Sequence, residues 1–251
     1  MAGKKGQITL FIIIALIIIA AAIAFLVLRS RLPGTDKSSD NPEDYIDKCM
    51  QDAGKQAIKL LSEHGGYVQP GYFILYKNKT VGYTCYNNNY YYTCIMQNPS
   101  VVSLIRDEIY NYIEPRLESC YSTLKKNMEK KGYDVELKAG NFSVELKPGK
   151  VELISNREMT ARKNEEVKTY DEFESSITSP IYEMAGIAQE ISNQEAKFCN
   201  FEYIGFMMLY NRWEIEKDDV NSQTKIYTIK ERQTGNSFRF ATRSCALPAG
   251  M

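Results

Sequence analysis

Hydrophobic positions along this chain come in three textures: one unbroken run, several stretches at helical spacing and several at strand spacing. The unbroken run, QITLFIIIALIIIAAAIAFLVL from Gln7 to Leu28, carries no charged side chain and is bracketed by Lys4-Lys5-Gly6 and by Arg29 and Arg31. As a helix at ~1.5 Å per residue it reaches ~33 Å, enough to cross a bilayer core. The expectation is a transmembrane helix over 7–28 with the lipid bilayer as its partner. A linker follows over 29–41, where LPGTDKSSDN is rich in Pro, Gly, Ser and Asp and reads as a stalk.

Helical spacing resumes at Asn41, a candidate N-cap with Pro42 at the first helical position and Glu43-Asp44 at the positive end of the dipole. Ile46, Cys49, Ala53, Ala57 and Leu60 form one apolar face, and Gly65-Gly66 stop the helix, so the prediction is a helix over 42–64. A second helical region runs from about Ser100 to Lys131, with Ile105, Ile109, Ile113, Leu117, Cys120, Leu124 and Met128 on its inner face. Pro115 predicts a kink there or two abutting helices. A third helix is expected over 179–198, with Ile181, Met184, Ala185, Ala188 and Ile191 inward. The dense apolar stretch from Phe201 to Tyr210 reads as a buried helix or strand.

Strand spacing marks Tyr72 to Tyr76, Thr80 to Tyr86 and a run that begins at Tyr90, predicting an antiparallel meander turned by Asn87-Asn88-Asn89. From Tyr133 to Lys168 apolar and charged residues alternate, as in Val144-Glu145-Leu146-Lys147, which fits a sheet with one solvated face. Ala139-Gly140-Asn141 and Pro148-Gly149 are expected to divide it into hairpins, and the charged Arg162 to Lys168 segment reads as a solvated strand or turn. Trp213-Glu214-Ile215, Lys225 to Ile229 and Ser237 to Ala241 close the chain as strands, the last two joined through Thr234-Gly235-Asn236. The predicted class is α+β: a transmembrane helix and then an ectodomain over 42–251 of helices and antiparallel sheet, with a possible division near 132.

All six cysteines lie beyond the apolar run, and an even count suits disulfides in an oxidising compartment. A turn at Asn89 and Tyr90 places Cys85 opposite Cys94. Cys49 and Cys120 sit on the apolar faces of two helices and are assigned to each other, which leaves Cys199 with Cys245. Six cysteines allow fifteen connectivities, so this pairing is a hypothesis. Within the small loop, Tyr90, Tyr91 and Tyr92 in succession put rings on both faces of a strand, so at least one is expected to be exposed. The run reads either as an adhesive or subunit-contact knob or as ordinary strand residues packed on a helix.

Composition adds a folded ectodomain, since the chain is 44% hydrophobic and 12% aromatic and only part of that lies in the apolar run. Lys and Arg balance Asp and Glu at 31 each; Lys4, Lys5, Arg29 and Arg31 precede the ectodomain, which is therefore mildly acidic. That balance argues against nucleic acid as a partner. Asn78-Lys79-Thr80 and Asn141-Phe142-Ser143 fit the N-glycosylation pattern, whereas Pro99 excludes Asn98. With two lysines before the span and two arginines after it, flanking charge hardly orients it. Cysteines and sequons favour a cytoplasmic N-terminus and an extracellular C-terminal domain at the cell membrane.

Three readings of the N-terminus stay open. Ala22-Ile23-Ala24 could serve as a signal-peptide cleavage site, although it would leave Phe25 to Leu28 as an apolar N-terminus. A plain uncleaved anchor explains length, apolarity and flanking charge. The third rests on Lys4, Lys5, Gly6 and Gln7 opening an apolar helix, which resembles the leader of archaeal type IV prepilins over about the first 30 residues. The resemblance implies cleavage after Gly6 by a prepilin peptidase and homo-oligomerisation through the retained helix. Many bacterial pilins carry a glutamate at the fifth mature position, where this chain has Phe11. Together with Tyr45-Ile46-Asp47-Lys48-Cys49 and Gly65-Gly66-Tyr67, the KKGQ start also looks like uncharacterised single-pass archaeal surface proteins, which implies a location and no activity.

Candidate chemistry is sparse. His64 is the single histidine and falls at a helix C-terminus, where it complements the dipole. No G-x-S-x-G, P-loop, H-E-x-x-H or EF-hand spacing occurs. Asp107-Glu108, Glu165-Glu166, Asp171-Glu172 and Asp218-Asp219 are sequence neighbours whose side chains point apart. No catalytic, cofactor or metal residue is assigned. The expected function is a membrane-anchored filament subunit or adhesin, with a non-polymerising extracellular binding module as the alternative and a surface hydrolase as a third reading.

Overall fold

A computed structural model describes residues 41–245. Helix α1 (Pro42–Glu63) leads into a hairpin of β1 (Phe73–Tyr76) and β2 (Lys79–Tyr86), then a two-residue strand β3 (Ile95–Met96) and the long helix α2 (Val101–Lys130). Six strands follow, β4 (Asp134–Leu137), β5 (Phe142–Lys147), β6 (Lys150–Ser155), β7 (Met159–Lys163), β8 (Glu166–Tyr170) and β9 (Phe173–Thr178). Helices α3 (Ile181–Phe198) and α4 (Tyr203–Leu209) precede β10 (Trp213–Asp219), β11 (Thr224–Glu231) and β12 (Ser237–Arg243). The class is α+β. Among the described residues no helix is long and apolar enough to cross a membrane. The apolar run 7–28, with Lys4, Lys5, Gly6 and Gln7, lies outside the described residues.

The two longest helices form where the apolar spacing places them, and they pack on each other. Ile46, Met50, Ala57 and Leu61 of α1 are fully buried, as are Ile105, Ile109 and Ile113 of α2. Burial of the Ile, Leu and Met side chains contributes about 1.5–3 kcal/mol each before entropy is counted. The Ser100 hydroxyl caps α2 by accepting from the Ser103 N–H at 3.1 Å. Pro115 does not divide the helix: α2 is one element. One turn of helix tolerates the missing donor, and Arg116 Nη1 donates to the Tyr112 carbonyl, next to the Asn111 carbonyl that Pro115 leaves without its helical donor. Gly54 lets α1 approach β9, since a Cβ there would come within 2.3 Å of Ile177 Cδ1.

The segment from 133 to 178 is a three-stranded meander bent in the middle. The Pro148-Gly149 turn joins β5 to β6, as expected, but β4 does not pair with β5. It pairs with β7, so Ala139-Gly140-Asn141 is a bend within one long strand and not a hairpin turn. β5, β6 and β9 form one half and β4, β7 and β8 the other. Registers in the two halves differ by one residue, the signature of a bulge: Asp134 faces Arg162, whereas Phe142 faces Ser155. At the bend Gly140 lies so close to the neighbouring strand that a Cβ would fall 2.1 Å from the Asn156 carbonyl oxygen. The charged segment is a β7–β8 hairpin turned at Asn164, whose φ of 57° suits asparagine. In β9, Phe173, Ser175 and Ile177 are buried and the residues between them exposed, so one face is dry and the other solvated.

The main sheet has strand order β1-β2-β12-β11-β10, with β3 pairing the far end of β2. β10, β11 and β12 form an antiparallel meander, while β2 and β12 run parallel. β1 and β2 are joined by Lys77 and Asn78 with φ of 49° and 62°, the doubly left-handed backbone of a two-residue hairpin. Gly82 carries the end of α1 on the sheet: its N–H donates to the His64 carbonyl at 3.3 Å, and a Cβ would sit 2.5 Å from that oxygen. Gly82→Ala should therefore cost about 1–3 kcal/mol by forcing backbone apart. A denaturant titration showing an unchanged midpoint would contradict this contact.

One hydrophobic cluster joins α1, α2 and α3 to both sheets and includes residues on each side of position 132. The stretch from Phe201 to Tyr210 corrects the expectation of burial. Phe201 is buried, but α4 has no buried residue, and Met208 and Leu209 are each 81% exposed. In YIGFMML nearly every position is apolar, so no periodicity selects an inner face. Tyr203, Phe206 and Met207 are the α4 side chains that pack against the core.

The disulfides join Cys49 to Cys120, Cys85 to Cys94 and Cys199 to Cys245, with Cα separations of 6.6, 5.3 and 5.7 Å, and none of the cysteines is free. The first staples α1 to α2. The third ties the end of α3, where Cys199 adopts a left-handed backbone, to the residues after β12.

Candidate functional site: a disulfide-pinned tyrosine loop

The run beginning at Tyr90 is not a strand. Tyr90, Tyr91 and Tyr92 lie in an irregular loop between β2 and β3, so strand pairing resumes only at Ile95. Side-chain hydrogen bonding by Asn87 explains the difference. Its amide oxygen accepts from the Asn89 N–H at 2.9 Å, and its Nδ2 donates to the Thr93 carbonyl at 2.7 Å, closing the loop on itself in place of a ladder. Cys85 and Cys94 bridge the base.

Residues that sequence reading did not single out hold this loop. Gln223, almost fully buried, donates Nε2 to the carbonyls of Asn89 and Tyr90 at 3.1 and 3.2 Å. Its Oε1 accepts from Arg243 Nη2 at 3.3 Å. Arg243 also reaches Asn88 Oδ1 at 3.0 Å and the Tyr86 hydroxyl at 3.2 Å. Their chain separation of more than 130 positions is why no local pattern reveals the pair. The loop is thus fixed to the β10–β11 turn and to the end of β12.

Fixation leaves the rings outside. Tyr90 is 53% exposed, Tyr91 83% and Tyr92 67%. Tyr90 and Tyr91 meet edge to face with centroids 5.5 Å apart, and the Tyr90 hydroxyl lies 3.0 Å from Ser222 Oγ. Beside the loop Tyr86 stacks on Tyr72 at 5.1 Å and meets Tyr83 edge-on at 5.0 Å, with the Arg243 guanidinium 5.6 Å from its ring. Burial raises the Tyr83 phenol above its ordinary value, while Thr224 and Arg243 pull the other way. Such a surface offers rigid aromatic area and phenolic hydrogen bonds, which is chemistry for contact.

Other sequence candidates are scattered. Asn78 and Asn141 are both exposed, Asn78 in the β1–β2 turn and Asn141 at the bend of the meander. His64 ends α1 with Nδ1 3.3 Å from the Val68 carbonyl oxygen. Glu108 accepts from the Val68 N–H at 2.8 Å, while Asp107 pairs with Arg106. No protein-family model matches this chain, and neither does any curated protein or solved structure.

A cleft of about 460 Å³ between α2 and the meander is lined by Tyr110, Glu114, Glu118, Tyr121, Phe142 and Arg157, among others. Its two carboxylates stand one turn apart on the same helix face. Glu114 accepts from the Tyr110 hydroxyl at 2.7 Å and Glu118 from Arg157 Nη1 at 2.6 Å. They lie side by side and do not flank a bond from opposite sides, the arrangement that glycoside hydrolysis needs. Burial pushes the Tyr121 phenol up to about 12, against the Ser155 hydrogen bond and Arg157. Among the described residues no group of three or more His, Cys, Asp or Glu is placed to hold a metal ion.

The strongest buried polar constellation was not legible in the sequence. Glu195 of α3 is fully buried and receives Lys225 Nζ on both oxygens, at 2.9 and 2.8 Å, and the Tyr227 hydroxyl at 2.5 Å. Lys225 also donates to the Cys199 carbonyl, which places all three ammonium protons. Burial, then the Glu195 charge, raises the Tyr227 phenol strongly. Ser244 Oγ donates to the Glu195 carbonyl at 2.9 Å and accepts from the Cys94 N–H at 3.3 Å, so the network links two disulfides. Its closed shell gives it the role of a brace under the tyrosine loop.

Proposed function

We propose that this chain is a membrane-anchored cell-surface protein, with its N-terminus cytoplasmic and its disulfide-stapled domain extracellular, and that it acts as a pilin-like filament subunit or adhesin through tyrosine-mediated contact. The observation that carries the contact role is the exposure of Tyr90, Tyr91 and Tyr92 on a loop held by a disulfide, Gln223 and Arg243. Aromatic rings held rigid before binding lose little entropy on contact. The anchor and its processing rest on the run from Gln7 to Leu28 and the Lys4-Lys5-Gly6 junction.

Mass spectrometry of the native N-terminus, on protein isolated from membranes, tests the processing. A start at Gln7 supports prepilin-type cleavage; Met1 or Ala2 supports a static anchor and the non-polymerising binding module; a start near Phe25 overturns the anchored reading. If the apolar helices bundle, Phe11→Arg should abolish polymers, because it places a charge among apolar helix faces that offer it no partner. Intact filaments of that variant in electron micrographs would count against the filament role.

A further inference from the structure

β1 is the outermost strand of the main sheet, and its register shows which of its backbone groups are spare. The Tyr83 N–H donates to the Tyr72 carbonyl at 3.0 Å, and Phe73 stands opposite Gly82 and Ile74 opposite Val81. By the alternation of antiparallel pairing, Tyr72, Ile74 and Tyr76 turn their backbone groups toward β2, whereas Phe73 and Leu75 turn theirs away from the sheet. Gly82 agrees, since its N–H points off β1 to the His64 carbonyl.

The side chains of the same two residues are also bare. Phe73 is 51% exposed and Leu75 70%, on one face, while Ile74 and Tyr76 pack on the other against the cluster of Val81, Tyr83, Ile226 and Ala241. From Gly71 to Tyr76 the sequence GYFILY has no charge and no proline, so the edge is blunted only by its short length and by Pro70 and Lys77 at its two ends.

We propose that β1 is a homotypic docking edge, on which a second copy of this chain adds its own β1 antiparallel, with Phe73 of each copy opposite Leu75 of the other. A two-fold axis then passes beside Ile74. Each Phe73–Leu75 pair exchanges two backbone hydrogen bonds, and the apolar side chains cover each other across the pair. Charge selects this occupant. In that register Lys77 falls opposite Gly71 of the other copy, so like charges do not meet. At the other end of the strand order, β10 carries Glu214, Glu216, Lys217, Asp218 and Asp219, and its Asp218 is already engaged within the same copy by the Tyr76 hydroxyl and by Lys77 at the end of β1, so β10 offers no free uncharged edge. The self-paired arrangement also closes on itself. Two short strands bury less than the ~1,000 Å² of a stable interface, so pairing is weak in dilute solution and strengthens where copies are crowded. The inference does not depend on the membrane anchor.

Hydrogen exchange of the full chain in detergent, read residue by residue at rising protein concentration, tests it. Exchange at the Phe73 and Leu75 amides should slow by ~10-fold or more as concentration rises, while Ile74 and Tyr76, bonded to β2, stay protected throughout. Leu75→Pro removes an outward N–H without touching the β1–β2 bonds, and Phe73→Lys puts a charge at the edge; both should abolish the concentration dependence. Exchange at Phe73 and Leu75 that ignores concentration in the unaltered chain overturns the proposal. So does a concentration dependence that survives both variants. If Leu75→Pro does not fold, Phe73→Lys alone decides.

Discussion

Lys225→Met should destabilise the domain by about 3–5 kcal/mol, the cost of stranding a buried carboxylate. Glu195 is fully buried, and Lys225 is the cation that touches it, bonding both oxygens. Removing the ammonium leaves the Tyr227 hydroxyl as a neutral donor to one oxygen and deprives the Cys199 carbonyl of its Lys225 donor. The physical cause is desolvation: the charge has already left water, and one neutral hydroxyl does not replace its hydration. A second variant separates the charge from the packing. Glu195→Gln combined with Lys225→Met removes both charges and should recover a large part of the loss, since neutral replacement of a buried pair is often close to neutral overall. Urea unfolding followed by circular dichroism gives both values. A single variant within ~0.5 kcal/mol of the parent would mean that water reaches Glu195.

Opening the Cys49–Cys120 bridge, as Cys49→Ser with Cys120→Ser, should cost ~4 kcal/mol on the loop-closure scale, because the bridge spans a separation of 71 residues. The same treatment of Cys85 and Cys94, at a separation of 9, should cost less, ~2.5 kcal/mol. Their ranking is the test. The long bridge restrains a large part of the unfolded chain, whereas the short one mainly keeps the tyrosine loop shut. Loss of the short bridge should therefore speed proteolysis between Asn87 and Thr93 while the helices stay protected. If the short bridge proves the more stabilising, the unfolded chain already holds α1 near α2, and the entropic account fails.

The helices and most strands are legible because their causes are local. α1 starts at Pro42 and stops before Gly65-Gly66, and α2 follows its four-residue apolar rhythm through Pro115. The cysteine pairing was also within reach, since two cysteines lay on helix faces and two flanked one turn. Long-range partners were not. β2 lies parallel to β12 from the other end of the chain, and β4 passes over its neighbour β5 to pair with β7. Alternation says which face of a strand is dry and does not say which strand lies beside it.

The site divides in the same way. Sequence marked Tyr90, Tyr91 and Tyr92 but assigned them a strand, because β-propensity outweighed the side-chain bonds of Asn87 that close the loop. Gln223 and Arg243, which hold the loop, and Glu195, Lys225 and Tyr227, which brace it from below, carry no local signature. Each becomes meaningful only when a residue more than 25 positions away satisfies its hydrogen bonds. By itself, then, the sequence determined the local elements, the apolar run and the Cys85–Cys94 bridge, since these depend on spacing within a few turns or one short loop. Tertiary structure decided the strand order, the exposure of α4 and the burial of the Glu195–Lys225 pair, because those depend on which distant surfaces exclude water together.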